Sequence, residues 1–494
     1  MTERGDFDPD AITVSGEHFI DGALTKAGDP EIEVLRPSDH RPIGVTYDAS
    51  EATVDRAVTS AAKAFKTSGW ADQPPRERAK VLRNWALAIE ANAETLARIE
   101  SAGSTRLINE VRLRDVVAGA DLIRYYAEYA DKLEGVITPT GSNALSLVVN
   151  EPYGVVGGII PWNFPLINAC MKIGPALAAG NALVLKPSEM TPFSLAALAQ
   201  LSIEAGLPKG ILTVINGHGP QAGSALVRHP LVRKISFTGS TATGAQIMAD
   251  AALAGVKPVV MELGGKSPIV VFADAPDLDA VSRNILRAFT YNGGQVCTSG
   301  SRLVVARKVK DELVERVAKL AAEVKAGPTW RTSSNLPPVI SAKQFKRIER
   351  LIESSVGEGA RLVAGGSRVD SQNEGDYLQP TILDEVKPGM TAHREEFFGP
   401  VLSVQSFEET EEAISLADHP VYGLAASVFT SDINKALKLA RAIESGTVWV
   451  NQHGRPADFA PPAGGYKGSG FGKDWGRAGI EGYLRQKAIW FAQN

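Results

Sequence analysis

One cysteine and one glutamate of the sequence could together form and hydrolyse an acyl-enzyme. Cys297 lies in the stretch GQVCTSG, and Glu262 lies upstream of it in ELGGKS. Cysteine attacks a carbonyl carbon as the thiolate, which neighbouring positive charge or helix dipoles stabilise, and the flanking glycines leave the thiol accessible. A nearby carboxylate could then activate water against the resulting thioester. A cysteine taken alone is more often buried and inert, so the accompanying motifs decide between these interpretations.

Asn163 is a residue that could stabilise an oxyanion. It lies in IPWNFP between Pro161 and Pro165, which restrict the backbone and so orient the amide. An asparagine N–H can donate to the oxyanion that forms when a thiolate adds to an aldehyde, an interaction worth on the order of 3 kcal/mol in comparable sites. The alternative is a helix N-cap, for which asparagine is also favoured.

Two strand-to-helix segments have the residues of a dinucleotide site. FTGSTATG places Gly239, Ser240 and Gly244 where backbone amides could bind phosphate, although the spacing differs from GxGxxG and an ordinary turn fits as well. LVLKPSE places Lys186 and Glu189 just after a strand. A carboxylate there accepts both hydroxyls of an adenosine ribose and repels a 2′-phosphate, which favours NAD over NADP, while Lys186 could offset part of that repulsion. A solvated loop is the other interpretation of this segment.

Composition limits the classes of protein and partner. The 494 residues are 44% hydrophobic and 22% charged, which is typical of a globular protein with more than one domain. Cys170 and Cys297 are the only cysteines, which excludes a disulfide framework, and the histidines show no metal-binding spacing, so we expect no metal. A net charge of −4 favours a small-molecule partner over nucleic acid. The lack of an apolar core at the N-terminus and of any long apolar run predicts no membrane association and a cytoplasmic location.

Helical and strand patterns predict the elements that position these residues. Apolar residues recur at helical spacing in residues 54–65 and 81–89, and from residue 155 onward short apolar runs alternate with helical stretches. This alternation is typical of βαβ units and a parallel sheet, at whose carboxyl edge ligands bind. The double glycine at 264–265 predicts a break, after which a second α/β series begins. Residues 327–338 have the composition of a loop.

At this point the chain resembles the aldehyde dehydrogenase superfamily. The motifs PWNFP, KPSE, FTGS, ELGGKS, GQVCT, EEFFGPV and GTVWVN occur in the family's order and cover most of the chain. The resemblance implies that Cys297 is the nucleophile, that Asn163 and the Cys297 backbone amide form the oxyanion hole, and that Glu262 is the general base. It also implies NAD as cofactor, with NADP as a second candidate, with Glu396 on the nicotinamide ribose and Phe398 near the ring. The positions implied around the rest of the cofactor are Ile160, Trp162, Lys186, Glu189, Gly219, Thr238, Gly239, Ser240, Gly244 and Leu263.

The resemblance also implies the domain organisation. An α/β, doubly wound cofactor domain would comprise residues 1–131 and 153–264, and an α/β catalytic domain residues 265–465. A small β oligomerisation arm would comprise residues 132–152 and 479–494, with predicted strands at 144–149 and 487–491. In the family such arms pair between subunits, and exposed strand edges favour that pairing, so we expect a homodimer or a homotetramer.

The implied reaction is the oxidation of a small aldehyde to its carboxylic acid with NAD. The Cys297 thiolate adds to the aldehyde to give a thiohemiacetal, loss of a hydride to the nicotinamide leaves a thioester, and water activated by Glu262 hydrolyses that thioester. Two alternatives stay open. One is a coenzyme A-acylating semialdehyde dehydrogenase, which would not need Glu262, and the other is a catalytically silent structural or binding protein on the same fold.

The motifs leave the substrate open. Ala463 stands where the family has phenylalanine, so the wall near it could be wider or looser. Arg455 could bind the carboxylate of an acidic aldehyde, or it could be a solvated surface charge. Met171 and Thr298 are further pocket candidates, although Met171 also fits a core position.

Overall fold

Strands and helices alternate along most of the chain in the computed structural model, which describes residues 5–369, 374–454 and 458–492. The strands are β1 (His18–Ile20), β2 (Ala23–Thr25), β3 (Glu31–Leu35), β4 (Pro42–Tyr47), β5 (Val136–Thr138), β6 (Ala144–Pro152), β7 (Val155–Ile159), β8 (Ala182–Lys186), β9 (Leu212–Val214), β10 (Val232–Thr238), β11 (Val259–Glu262), β12 (Pro268–Val271), β13 (Arg302–Ala306), β14 (Arg361–Ala364), β15 (Thr381–Asp384), β16 (Val401–Phe407), β17 (Tyr422–Gly423), β18 (Ala425–Phe429), β19 (Thr447–Val450), β20 (Tyr466–Lys467), β21 (Gly470–Phe471) and β22 (Leu484–Ala492). The helices are α1 (Glu51–Thr67), α2 (Pro75–Ala91), α3 (Ala93–Gly103), α4 (Ile108–Glu110), α5 (Val116–Ala127), α6 (Pro165–Ala178), α7 (Phe193–Glu204), α8 (Ser224–Arg228), α9 (Thr241–Leu253), α10 (Leu278–Thr290), α11 (Arg307–Ala322), α12 (Ala342–Gly357), α13 (Thr391–Arg394), α14 (Thr410–Ala417), α15 (Ile433–Ala442) and α16 (Gly476–Glu481). Within the described ranges, no helix has both the length and the apolar character needed to cross a bilayer.

The first sheet contains the strands whose ends carry the cofactor motifs. Its order is β2-β1-β9-β8-β7-β10-β11-β21, in which β9 to β11 run parallel and β1 and β21 are antiparallel to their inner neighbours. Every residue of β7 and β8 is buried, because both faces of a parallel sheet are covered, and their sequences VVGGI and ALVLK are accordingly almost wholly apolar. The predicted parallel α/β series is confirmed.

A second sheet follows the double glycine. Its order is β14-β15-β16-β13-β12-β18-β19, and only the edge strand β14 is antiparallel to its neighbour. Strand β11 belongs to the first sheet and β12 to the second, so Gly264 and Gly265 lie in the link between the two sheets. The short strand β21 returns from the C-terminal part of the chain to pair with β11. The numerical limits of the domains stay predictions.

A separate antiparallel sheet has the order β22-β6-β5. The strands predicted at 144–149 and 487–491 are confirmed as parts of β6 and β22. In the part of the chain that the structure describes, neither outer strand has a further strand partner. Residues 327–338 contain no helix or strand, as their composition predicts.

Candidate active site

The carboxyl edge of the first sheet brings the predicted site residues together. In the parallel register Ile159 is opposite Lys186, and Thr238 is opposite Glu262, so these strand ends lie side by side. The backbone N–H of Ile160 donates to the carbonyl of Lys186 at 3.0 Å, which fixes the strand end that leads into PWNFP. Ligands of open α/β sheets bind beyond this edge, and the register places the motifs side by side there.

Cys297 and Glu262 are in direct contact. The Sγ of Cys297 lies 3.2 Å from Oε1 of Glu262, and Thr238 Oγ1 donates to Oε2 of the same carboxylate at 3.4 Å. Cys297 is partly exposed, whereas Cys170 is fully buried, and burial raises the pKa of the Cys170 thiol. Cys297 is therefore the reactive candidate, because it combines access with a carboxylate that can take its proton, and the interpretation as a buried, inert thiol fits Cys170 instead.

A tight turn precedes the cysteine. Asn292, Gly293 and Gly294 all have left-handed backbone, with φ of 50°, 62° and 71°. A β-carbon on Gly294 would overlap the backbone carbonyl of Gly399. These glycines are therefore required by the turn and by close packing, in addition to the access to the thiol that the sequence pattern suggests.

Asn163 is fixed beside this turn. Its Nδ2 donates to the carbonyl of Gln295 at 3.0 Å, and its own backbone carbonyl accepts from Nδ2 of Asn292 at 3.0 Å. The amide nitrogen carries a second hydrogen, which can point to an oxyanion. The N-cap interpretation is wrong, because the cap residue of α6 is Phe164, without a side-chain hydrogen bond, and the Asn163 side chain contacts the cysteine segment instead.

Gln295 and Asn292 organise the site, and neither was a sequence candidate. The fully buried Gln295 side chain donates to the carbonyl of Pro338 at 3.1 Å and accepts from the N–H of Ile340 at 2.9 Å. The Oδ1 of Asn292 accepts a hydrogen bond from Thr105 at 2.9 Å. Because these partners come from distant segments, no local pattern relates them, and the position of Gln295 two residues before Cys297 was the one available signal.

A second group of residues surrounds Glu396 and Phe398. Oε1 of Glu396 accepts from the N–H of Gly265 at 3.0 Å, and desolvation raises the pKa of the carboxyl to about 7. Phe398 has a φ of 51°, and its ring meets that of Trp162 edge-on, with the centroids 5.3 Å apart. Arg347 on α12, which the sequence did not single out, donates to the Glu396 carbonyl at 2.8 Å and so fixes this loop.

Lys186 and Glu189 lie at the end of β8. The buried Lys186 Nζ donates to the carbonyl of Pro187 at 2.7 Å and lies 4.0 Å from the Glu189 carboxylate. Desolvation lowers the pKa of Lys186 to about 8. The solvated-loop interpretation is therefore wrong for Lys186, whereas Glu189 keeps 31% of its side chain exposed and can meet a ligand. Gly219 is also exposed, with open space where a β-carbon would be.

The FTGSTATG segment forms a turn from β10 into α9. Ser240 is exposed and caps α9, since its Oγ accepts from the N–H of Thr243 at 3.2 Å. Gly239 directly follows the last residue of β10, and Gly244 packs so closely that a β-carbon there would lie 2.6 Å from a methyl carbon of Leu263. The turn and its packing account for the glycines, and the exposed start of α9 leaves first-turn amides that can bind an anion.

The pocket candidates have different surroundings. Thr298 is half-buried beside Cys297, whereas Met171 on α6 is 5% exposed and belongs to the main hydrophobic core. Ala463 is buried and exchanges backbone hydrogen bonds of 2.7 and 2.8 Å with Asp474. These two bonds fix the backbone at Ala463. Arg455 lies outside the described residues.

Comparison with known proteins gives one consistent answer. A family model described as the aldehyde dehydrogenase family matches residues 24–489. An aldehyde dehydrogenase from Aspergillus niger is 39% identical over 472 residues, which cover 95% of this chain and 94% of that protein. A mitochondrial benzaldehyde dehydrogenase from Antirrhinum majus is 38% identical over 480 residues, 97% of this chain and 88% of that protein. The crystal structure of an indole-3-acetaldehyde dehydrogenase complexed with NAD⁺ superposes with a TM-score of 0.96 at 40% identity, covering 98% of both chains.

Proposed function

Because this chain belongs to the aldehyde dehydrogenase family and is an NAD-dependent aldehyde dehydrogenase, we propose that it works through a thioester on Cys297 that water, activated by Glu262, hydrolyses. The observation that carries the proposal is the 3.2 Å contact between the Cys297 thiol and the Glu262 carboxylate. The fixed amide of Asn163 at the same turn adds a donor for the oxyanion.

The first step is the addition of Cys297 to the aldehyde. Glu262 takes the thiol proton, and the thiolate bonds to the carbonyl carbon, whose oxygen becomes the negatively charged oxygen of a thiohemiacetal. The second hydrogen of Asn163 Nδ2 and the Cys297 backbone N–H are the proposed donors to that oxygen. Their positions are fixed before the reaction by the Gln295 contacts, so little reorganisation is needed when the charge forms.

The proposed cofactor residues fit the two halves of NAD. Glu189 would accept the adenosine ribose hydroxyls, the exposed start of α9 would receive the pyrophosphate, and Glu396 would accept the nicotinamide ribose hydroxyls. Bound NAD would supply the acceptor for the hydride of the thiohemiacetal carbon, and a thioester would then remain on Cys297. The carboxylate of Glu189 disfavours the 2′-phosphate of NADP.

Hydrolysis completes the proposed cycle. Once the proton taken from the thiol has passed to solvent, the Glu262 carboxylate, 3.2 Å from the Cys297 sulfur, is placed to take a proton from the water that attacks the thioester. The carbon–sulfur bond then breaks, which releases the carboxylic acid and regenerates the Cys297 thiolate. A coenzyme A-acylating enzyme would need no carboxylate that activates water. The contact therefore favours hydrolysis over acyl transfer, and it also disfavours a catalytically silent protein.

The experiment that tests this assignment separates acylation from hydrolysis. Glu262→Gln should slow the single-turnover burst of NADH, because the thiol loses its base, but it should slow hydrolysis more. An acyl adduct should therefore accumulate on Cys297, detectable by intact mass, while steady-state turnover falls by on the order of a hundredfold or more. Cys297→Ala should abolish both phases, and Cys170→Ala is the matched control that should retain them. Undiminished turnover in Glu262→Gln, or a turnover that coenzyme A restores to the wild-type level, would contradict the proposal.

We further propose that the sheet of β5, β6 and β22 joins subunits into a homodimer or homotetramer. Among the residues that the structure describes, no further strand pairs with its outer strands β5 and β22. Trp490 and Phe491 on β22 are 66% and 50% exposed, which is costly for large apolar side chains in water. Light scattering of Trp490→Lys should show smaller assemblies than the wild type. An unchanged mass would reject this surface as the interface. A cytoplasmic location stays a prediction.

A further inference from the structure

His453 contacts the segment that carries the nucleophile, although it lies far from it in sequence. It follows β19, and its Nε2 lies 3.1 Å from the backbone carbonyl of Thr298, the residue after Cys297. Its Nδ1 lies 2.7 Å from the hydroxyl of Ser427, a fully buried residue of β18. The ring therefore connects the second sheet to the cysteine segment.

The partners of the ring fix its tautomer. A carbonyl oxygen only accepts, so Nε2 carries the proton and donates to Thr298, and Nδ1 accepts from the Ser427 hydroxyl. Desolvation lowers the pKa of His453 to about 4, which keeps the ring neutral at neutral pH. Trp449 packs against the ring with centroids 5.1 Å apart, which restricts its rotation.

The cysteine segment is consequently held on both sides of the nucleophile. Two residues before Cys297, the Gln295 side chain is bonded to the loop at 338–340. One residue after Cys297, the Thr298 carbonyl is bonded to His453. Without the second bond, the peptide between Thr298 and Ser299 would be free to rotate, and the direction of Sγ of Cys297 relative to Glu262 and Asn163 would be less well defined.

We propose that His453 is a positioning residue, which holds the peptide after Cys297 so that the thiol faces its carboxylate and the oxyanion donor. The inference rests on the proposed function, because it gives Cys297 the role of nucleophile. His453 acts through the Thr298 carbonyl and through its own anchor on Ser427.

A matched pair of substitutions isolates the hydrogen bond. Glutamine places an amide N–H near the position of Nε2, whereas methionine has a similar size and no donor, so His453→Gln and His453→Met differ mainly in the bond to Thr298. We expect His453→Met to lower both kcat/KM with butanal and the rate of Cys297 alkylation by iodoacetamide, each by about three- to tenfold, the value of one such bond. His453→Gln should stay within about twofold of the wild type, and Ser427→Ala should resemble His453→Met in a weaker form. His229→Gln, at the histidine that follows α8 and is bonded to Asp55, is the control that should change neither rate.

Two outcomes would overturn the inference. The first is equal rates of alkylation and turnover in the glutamine and methionine variants. The second is a lower unfolding temperature in His453→Met with unchanged rates, since that would indicate a role in folding stability alone. Failure of the proposed function has a different signature, because alkylation of wild-type Cys297 would then leave NADH formation intact.

Discussion

Replacing Gly294 by alanine should lower both the stability and the activity of the protein. A matched substitution at Gly28 separates the cost of the left-handed backbone from the cost of the steric overlap. Gly294 has a φ of 71°, and a β-carbon there would overlap the carbonyl of Gly399 and lie 2.7 Å from the nitrogen of Pro400. The left-handed backbone alone costs alanine about 1 kcal/mol, and an unaccommodated carbon in a packed site typically adds about 1–3 kcal/mol. We therefore expect Gly294→Ala to lose about 2–4 kcal/mol of stability.

The backbone shift that relieves this overlap should also displace residues of the candidate active site. The atoms that must move are backbone, on one side next to Phe398 and on the other three residues before Cys297, so relief of the overlap shifts both halves of the site. Misplacement of reacting groups by about 1 Å can lower a rate on the order of a hundredfold. We therefore expect kcat to fall and the KM for NAD to rise.

Gly28 provides the matched control. It has a φ of 82° in a loop between β2 and β3, and a β-carbon there would meet nothing within 4 Å. Gly28→Ala thus incurs the backbone cost without the overlap, and should lose about 1 kcal/mol with normal activity. The measurements are the thermal unfolding midpoint and steady-state NADH formation. If Gly294→Ala unfolds at the same temperature as Gly28→Ala and remains as active, the reasoning about close packing at this turn is wrong.

Three further predictions concern charge and access at the site. Because desolvation raises the pKa of Glu396 from 4.5 to about 7, the unliganded protein should lose stability as pH rises through that window, and Glu396→Gln should flatten this part of the pH profile of thermal unfolding. The same titration forms the carboxylate that ribose hydroxyls need, so the wild-type KM for NAD should fall between pH 6 and 8, and an unchanged KM would argue against Glu396 as the ribose ligand. Glu189→Gln should raise kcat/KM with NADP relative to NAD by about tenfold, since one repulsive charge is removed, and a constant ratio would contradict that role. Iodoacetamide should modify Cys297 in the folded protein and Cys170 only after urea unfolding, as peptide masses will show; equal labelling in the folded state would refute the contrast in burial.

The residue patterns predicted the parallel sheet and several of the segments that meet at its carboxyl edge. Parallel βαβ units follow from apolar runs alternating with helical stretches, and once the strands are parallel, Lys186, Thr238 and Glu262 must end at the same edge. Formation and hydrolysis of an acyl-enzyme need a thiol and a carboxylate, which is why the sequence pairs Cys297 with Glu262. The structure brings these two side chains into contact. Local sequence carries this information because strand period, turn residues and side-chain chemistry are all properties of short segments.

Some interpretations needed the three-dimensional structure to choose between them. Asparagine before a helix is a reasonable N-cap, and only the nearby carbonyl of Gln295 shows that the Asn163 amide has another partner. A lysine in a loop is usually solvated, and only the buried position of Lys186 at the sheet edge overrides that expectation. In both cases the local preference is weak, and a tertiary contact decides.

What the sequence determined by itself is the alternation of elements and the choice of the candidate side chains. What only the tertiary structure decided is how those side chains are held: Gln295 by residues 338–340, Asn292 by Thr105, Glu396 by Gly265 and Thr298 by His453. Each of these hydrogen bonds joins segments that are distant in sequence, and each partner is an ordinary polar residue with no local signature. Their pairing exists only after the two sheets have packed, because a buried donor must then find whichever acceptor the fold places beside it.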